Sequence, residues 1–136
     1  MNIPRDAIMI ENNMAIRKAD YPRFIRALRH ILKRPDWNKE LTDEAVTQLC
    51  GFNLHIPGND GNIWLDWYTG YIVSEAAPDD DEILIAIAPY VIDGGHVTFE
   101  DYEEQSYFGV SYHGGKAYKI TGHIAWEEDD EPLTID

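Results

Sequence analysis

One cysteine, Cys50, is all that the 136 residues contain, so no disulfide can close within the chain. The fold must rest on burial alone, and a lone thiol suits a reducing, cytoplasmic setting. Long hydrophobic runs are missing as well. None approaches the roughly 18 residues of a membrane span, which argues against a membrane protein. The opening MNIPRDAIMIENN lacks a basic stretch leading into a long apolar one, and so does not read as a signal peptide. Positive charge is scarce beyond residue 40. The first forty residues hold nine of the eleven Lys and Arg against five acids, formally +4, whereas residues 41–136 hold Lys116 and Lys119 against twenty acids, formally −18. A surface of that sign repels nucleic acid and anionic lipid and attracts basic proteins.

The usual signatures of catalysis are also missing. No two of His30, His55, His96, His113 and His123 stand at the i, i+4 spacing of a helical zinc site. Gly109-Val110-Ser111-Tyr112-His113 has no second glycine and lies in a strand-like stretch, so it is not a nucleophile elbow. Gly114-Gly115-Lys116 lacks the Walker length and a following helix. Asn59-Asp60-Gly61-Asn62 is too short for a twelve-residue calcium loop, and a hairpin turn explains it. Carboxylates are so abundant that no pair stands out as an acid and a base. No cofactor and no metal ligand set are expected.

What is present is ordinary globular material, 44% apolar and 26% charged. This predicts one domain over residues 1–126, followed by an acidic segment, residues 127–136, too charged to pack and expected to be disordered. The densest apolar stretch follows Asp79-Asp80-Asp81-Glu82, whose carboxylates suit the start of a helix. Ile83, Leu84, Ile85 and Ile87 continue that helix for two to three turns, with a break near Ala88 caused by Pro89. Asp93-Gly94-Gly95 then reverses the chain. Val97 and Phe99 alternate with polar neighbours as a half-buried strand, and Phe108, Val110 and Tyr112 form the next. Across the His113–Lys116 hairpin, Tyr118 and Ile120 are expected to continue the same apolar face.

Earlier in the chain, Ala7–Ile10 and Met14–Ile16 read as short strands. Asp20 can cap a helix with Pro22 in its first turn and a buried stripe of Phe24, Ile25, Leu28, Ile31 and Leu32, ended by Pro35. Arg23, Arg26, Arg29, His30, Lys33 and Arg34 cover its other faces and read as a solvated surface, some of them paired with acids of the same domain. Thr42-Asp43-Glu44 opens a short helix closed by Gly51. Cys50, at its end, reads as a small buried hydrophobe. Phe52–Ile56 and Ile63–Tyr68 form a hairpin across Pro57–Gly61, and Tyr71–Val73 a further strand. Ile63, Leu65 and Trp67 share one face, Trp64 and Tyr68 the other. Trp126 is placed to anchor the last strand. The fold class is α+β, with helices packed on an antiparallel sheet of about five to seven short strands.

Three stretches carry a resemblance: MAIRKADYPRFIRALRHIL, LCGFNLHIPGNDGNI and DDEILIAIAPYVIDGGHVTF. In their order and spacing they resemble a family of small uncharacterised proteins of bacteria and their phages. Members carry an acidic glycine turn and a tryptophan strand after the DGG-type reversal, where this chain reads Glu100-Asp101-Tyr102-Glu103-Glu104-Gln105-Ser106-Tyr107-Phe108. The resemblance implies α+β architecture and a mobile-element setting, and carries no activity.

Three functions follow as expectations. The first is a non-enzymatic accessory factor that binds or masks a basic, nucleic-acid-binding protein, using Glu100, Asp101, Glu103 and Glu104 flanked by Tyr102 and Tyr107. It contacts neither nucleic acid nor membrane itself. The second is an immunity-type or regulatory protein binding one enzyme or toxin through Trp64 and Tyr68. The third is a small histidine-dependent hydrolase or metal enzyme, if His96, His113 and His123 meet across adjacent strands.

Overall fold

The computed structural model describes residues 7–33, 41–55, 61–67, 78–103, 105–122 and 132. Seven strands and three helices appear in the order β1 (Ile8–Asn12), β2 (Ala15–Arg17), α1 (Tyr21–Ile31), α2 (Asp43–Leu49), β3 (Phe52–His55), β4 (Asn62–Trp67), α3 (Asp80–Ala86), β5 (His96–Asp101), β6 (Ser106–His113) and β7 (Lys116–Gly122). The α+β class is as expected, but the antiparallel strands divide over two sheets. One has the order β1-β5-β6-β7 and the other β2-β4-β3. The expected strand at Tyr71–Val73, the anchoring Trp126 and the acidic segment 127–136 lie outside the described residues, apart from Pro132.

Local chemistry accounts for the helices. Thr42 caps α2, its hydroxyl accepting from the Ala45 N–H at 3.1 Å. Gly51, at φ 85°, lets the chain leave after Cys50. At the start of α3 the Glu82 carboxylate reaches back to the Asp79 N–H, 3.3 Å away. That helix loses its regular ladder where proline was expected to break it: Ala88 N–H bonds the Ile85 carbonyl three residues back, and Pro89 has no N–H to give. Asp20 behaves differently from expectation. A short 3-10 turn, Lys18–Asp20, precedes α1, and Asp20 makes no capping bond, its carboxylate pairing with Arg23 at 2.6 Å instead.

Between β1 and β2 the chain changes sheets at Asn12 and Asn13. The Asn12 side chain donates to the Leu65 carbonyl of β4 (2.9 Å) and accepts from the Met14 N–H (3.0 Å). Asn13 accepts from the His96 N–H of β5 at 2.6 Å, while its own N–H bonds the His96 carbonyl. A corner of this kind strands backbone groups, and two amide side chains supply the missing partners.

The core then follows. Rings pack in series from Phe24 of α1 through Phe52, Trp67 and Phe99 to Phe108 of β6, with centroids 5.5–6.2 Å apart. Two buried side-chain donors of the core have partners: Trp67 Nε1 donates to the Cys50 carbonyl and the Tyr112 hydroxyl to the Leu84 carbonyl. Burial pushes the Cys50 thiol up to about 12 and raises Tyr112 as well, so both stay protonated at neutral pH.

Two outcomes are expected. Asn12→Ala strands the Leu65 carbonyl and the Met14 N–H and should cost about 1–3 kcal/mol by urea denaturation. Alkaline titration should also weaken the fold. The unfolded chain releases the Cys50 and Tyr112 protons that the folded one holds, so stability is full below the unfolded thiol value and falls as pH rises past about 9. Cys50→Ala with Tyr112→Phe should flatten that fall, as measured by urea midpoint against pH.

Candidate functional site

The face of the four-stranded sheet that carries Val97, Phe99, Val110 and Tyr112 is buried against α3 and the other sheet, Tyr112 bonding Leu84 and Phe99 packing on Trp67. The described residues leave the opposite face open. Pairing of β5 with β6 sets His96 against Ser111, Thr98 against Gly109 and Glu100 against Tyr107 on this outer side. On β1, Ile8 stands opposite Glu100 and Glu11 opposite Thr98, with an irregularity between Met9 and Glu11 that turns Ile10 outward too. Ile8 is 55% and Ile10 52% exposed.

The last strand corrects the sequence reading. Gly114 and Gly115 both have positive φ, and His113 pairs with Lys116, which makes a two-residue turn. That register places Ala117 opposite Tyr112 and Lys119 opposite Val110, on the covered side. Tyr118 and Ile120, expected on the apolar inner face, therefore lie on the outer one, opposite Ser111 and Gly109. A hairpin turn one residue longer would have reversed this assignment, because neighbouring strand residues point to opposite faces.

The result is a shallow apolar hollow of about 230 Å³ bordered by Ile10, Thr98, Tyr107 and Ile120. Gly109 stands between Thr98 and Ile120 on this side of the sheet, and a Cβ there would run into the Val97 carbonyl and sit 2.9 Å from the Thr98 Cα. One end of the face is acidic. Glu100 lies beside Tyr107, whose hydroxyl donates to its carboxylate at 3.4 Å. Partial desolvation and then the Glu100 carboxylate raise the Tyr107 phenol, which stays a donor. Asp101 closes β5 on the alternation of Val97 and Phe99, and Tyr102 and Glu103 follow in the β5–β6 turn, with Tyr102 70% exposed. The same turn holds Gln105 in the left-handed region that glycine occupies most easily.

Of the expected binding residues, Glu100, Asp101, Tyr102, Glu103 and Tyr107 are brought together here. Glu104 lies outside the described residues. Trp64 is on the other sheet, 39% exposed and opposite Ala15, so it does not join the acidic turn; Tyr68 is outside the described residues. Ile8, Ile10, Tyr118 and Ile120 were not singled out by sequence. The only hint was apolar residues on both alternations of short strands.

The histidines are separately engaged. His96 Nε2 meets Glu11 Oε1 at 2.9 Å, and the His113 ring stacks on Tyr118 with centroids 4.1 Å apart. His123 lies outside the described residues. Among the described residues no three of His, Cys, Asp and Glu converge to hold a metal ion. The basic helix is partly neutralised by its own domain: Arg29 pairs with Asp43 (2.8 Å) and Lys33 with Asp79 (3.5 Å). No described helix is long and apolar enough to cross a membrane.

The face assignment is open to a direct check. Ile10→Thr on the outer face should change stability by no more than about 0.5 kcal/mol, whereas Gly109→Ala should cost about 1–3 kcal/mol, both from urea unfolding.

No family model matches the chain, and no curated protein or solved structure matches it either.

Proposed function

We propose that the protein is a non-enzymatic binding factor that docks a basic protein partner on the open face of its four-stranded sheet. The observation that carries this reading is the juxtaposition of exposed Ile8 and Ile10 with Glu100 and Tyr107 on a sheet face that the described residues leave uncovered. Isolated exposed hydrophobes are common, but Ile8 and Ile10 together on β1 beside Glu100 and the Tyr107 hydroxyl match an interface centre. Glu100 on this face and Glu103 in the adjoining turn then form an anionic rim, with Asp101 at the end of β5 adding to the local negative charge. Carboxylates in a row resemble a run of phosphates, so a nucleic-acid-binding cleft is the partner chemistry that fits best. The rim guides encounter, and the isoleucine and tyrosine surface supplies burial. The resemblance to bacterial and phage proteins supports a mobile-element setting for such a factor.

Trp64 supports a second reading, in which a specific enzyme or toxin is bound on the three-stranded sheet. A large aromatic 39% exposed on a strand otherwise buried at Ile63, Leu65 and Trp67 is the observation in its favour.

One capture experiment separates the two. The immobilised protein is exposed to host extract at low and at high salt, with three variants in parallel. On the first reading a specific partner is retained at low salt, and the triple reversal E100K, D101K, E103K or the single Ile10→Glu reduces capture about tenfold or more, with Trp64→Ala neutral. Loss only with Trp64→Ala supports the second reading. Retention unchanged by salt and by the charge reversal would sink the electrostatic mechanism.

A further inference from the structure

A hollow lined by helix rather than sheet combines a usable volume with charge of a single sign. It encloses about 510 Å³ between one face of α1 and the chain that leaves α3. Small-molecule sites fall at roughly 300–1,000 Å³. The apolar part of its lining is half-buried: Ala27 and Ile31 of α1, Ala86 at the end of α3, and Tyr90 just beyond. The polar part is Arg23, Arg26 and His30, all of them on α1.

Spaced three and then four residues apart, Arg23, Arg26 and His30 follow one another along a single face of the helix. Among the described residues no acid lines this hollow, although the chain holds 25 Asp and Glu against 11 Lys and Arg. Cations nearby are placed differently. Arg29 reaches Asp43 and the Leu41 carbonyl, and Lys33 meets Asp79. Arg23 holds Asp20, which lies outside the hollow. Across from Arg26 and His30 the lining offers Ala86 and Tyr90 and no carboxylate. Cations gathered on one helical face repel one another, and an anion set between them turns repulsion into attraction.

We infer that this hollow binds a small phosphate monoester with an apolar, ring-sized body. The phosphate sits between Arg26 and His30, with Arg23 one turn away adding positive charge. The body lies against Ala27, Ile31, Ala86 and Tyr90 and displaces water from them. A planar guanidinium matches two phosphate oxygens, which leaves a third for an imidazole N–H. The alternatives fit less well. A carboxylate has two oxygens, and one guanidinium fork uses both. Inorganic phosphate alone would leave the apolar lining wet, and an uncharged ligand would leave the cations unused. A bilayer rich in phosphate esters is a poorer source of the same group, because the acidic remainder of the chain is repelled by it. The site belongs to α1 and the end of α3, and it does not depend on docking at the open sheet face.

The test is calorimetric titration of the full chain, at low ionic strength, with phenyl phosphate, inorganic phosphate, benzoate and phenol. Phenyl phosphate should bind, and each of the other three should bind about threefold or more weakly, the scale of one exposed charge pair or a partly buried ring. Arg26→Gln and His30→Gln should each weaken phenyl phosphate by a similar factor. Lys33→Gln removes a cation of the same region that already faces Asp79, and should leave binding unchanged. All three are exposed surface positions, and circular dichroism confirms that each variant is folded; the four-ligand series on the unaltered protein needs no variant at all. Absence of heat with millimolar phenyl phosphate, benzoate binding as tightly as phenyl phosphate, or an equal loss in Lys33→Gln would each overturn the assignment.

Discussion

The architecture turns on the corner at Asn12 and Asn13. A strand that leaves one sheet for another must abandon its ladder partners, and unpaired backbone groups at such a place are expensive to bury. Here the two amides hold the Leu65 carbonyl of one sheet and the His96 N–H of the other. Those bonds fix the sheets relative to each other, which brings Trp67 of β4 against Phe99 of β5. The ring series from Phe24 to Phe108 then becomes possible, and the helices settle on the side where the rings lie.

Everything offered to a partner is a consequence of that arrangement. With the core on one side of the four-stranded sheet, the described residues leave its other side open, and Ile8, Ile10, Tyr118 and Ile120 face outward there. That face is broad and shallow, and acidic at the end where β5 turns into β6.

The helices were largely legible from sequence because their causes are local. Thr42 and Glu82 make their bonds within one turn, Gly51 takes a conformation few other residues reach, and Pro89 withholds its own N–H. The alternation of Val97 with Phe99 and of Ile63, Leu65 and Trp67 likewise marked the buried faces. Glu100 and Tyr107 were recognisable as neighbours because a short turn joins their strands. Asp20 shows the limit of the same logic: a preceding 3-10 turn changed its backbone conformation and gave its carboxylate to Arg23. The outward placement of Tyr118 and Ile120 was not legible either, because it depends on whether two or three residues make the turn.

By itself the sequence determined the fold class, where the helices lie and the strong negative charge, all of which arise from local propensity, periodicity and composition, though α1 ends at Ile31, short of Pro35. Only the tertiary structure decided that the strands form two sheets, that the described residues leave one sheet face uncovered, and that Trp64 and the acidic turn belong to different surfaces. The physical reason is common to all three. Each depends on pairing between residues far apart in the chain, set by register and by a corner of two asparagines, and no nearest-neighbour preference encodes such contacts.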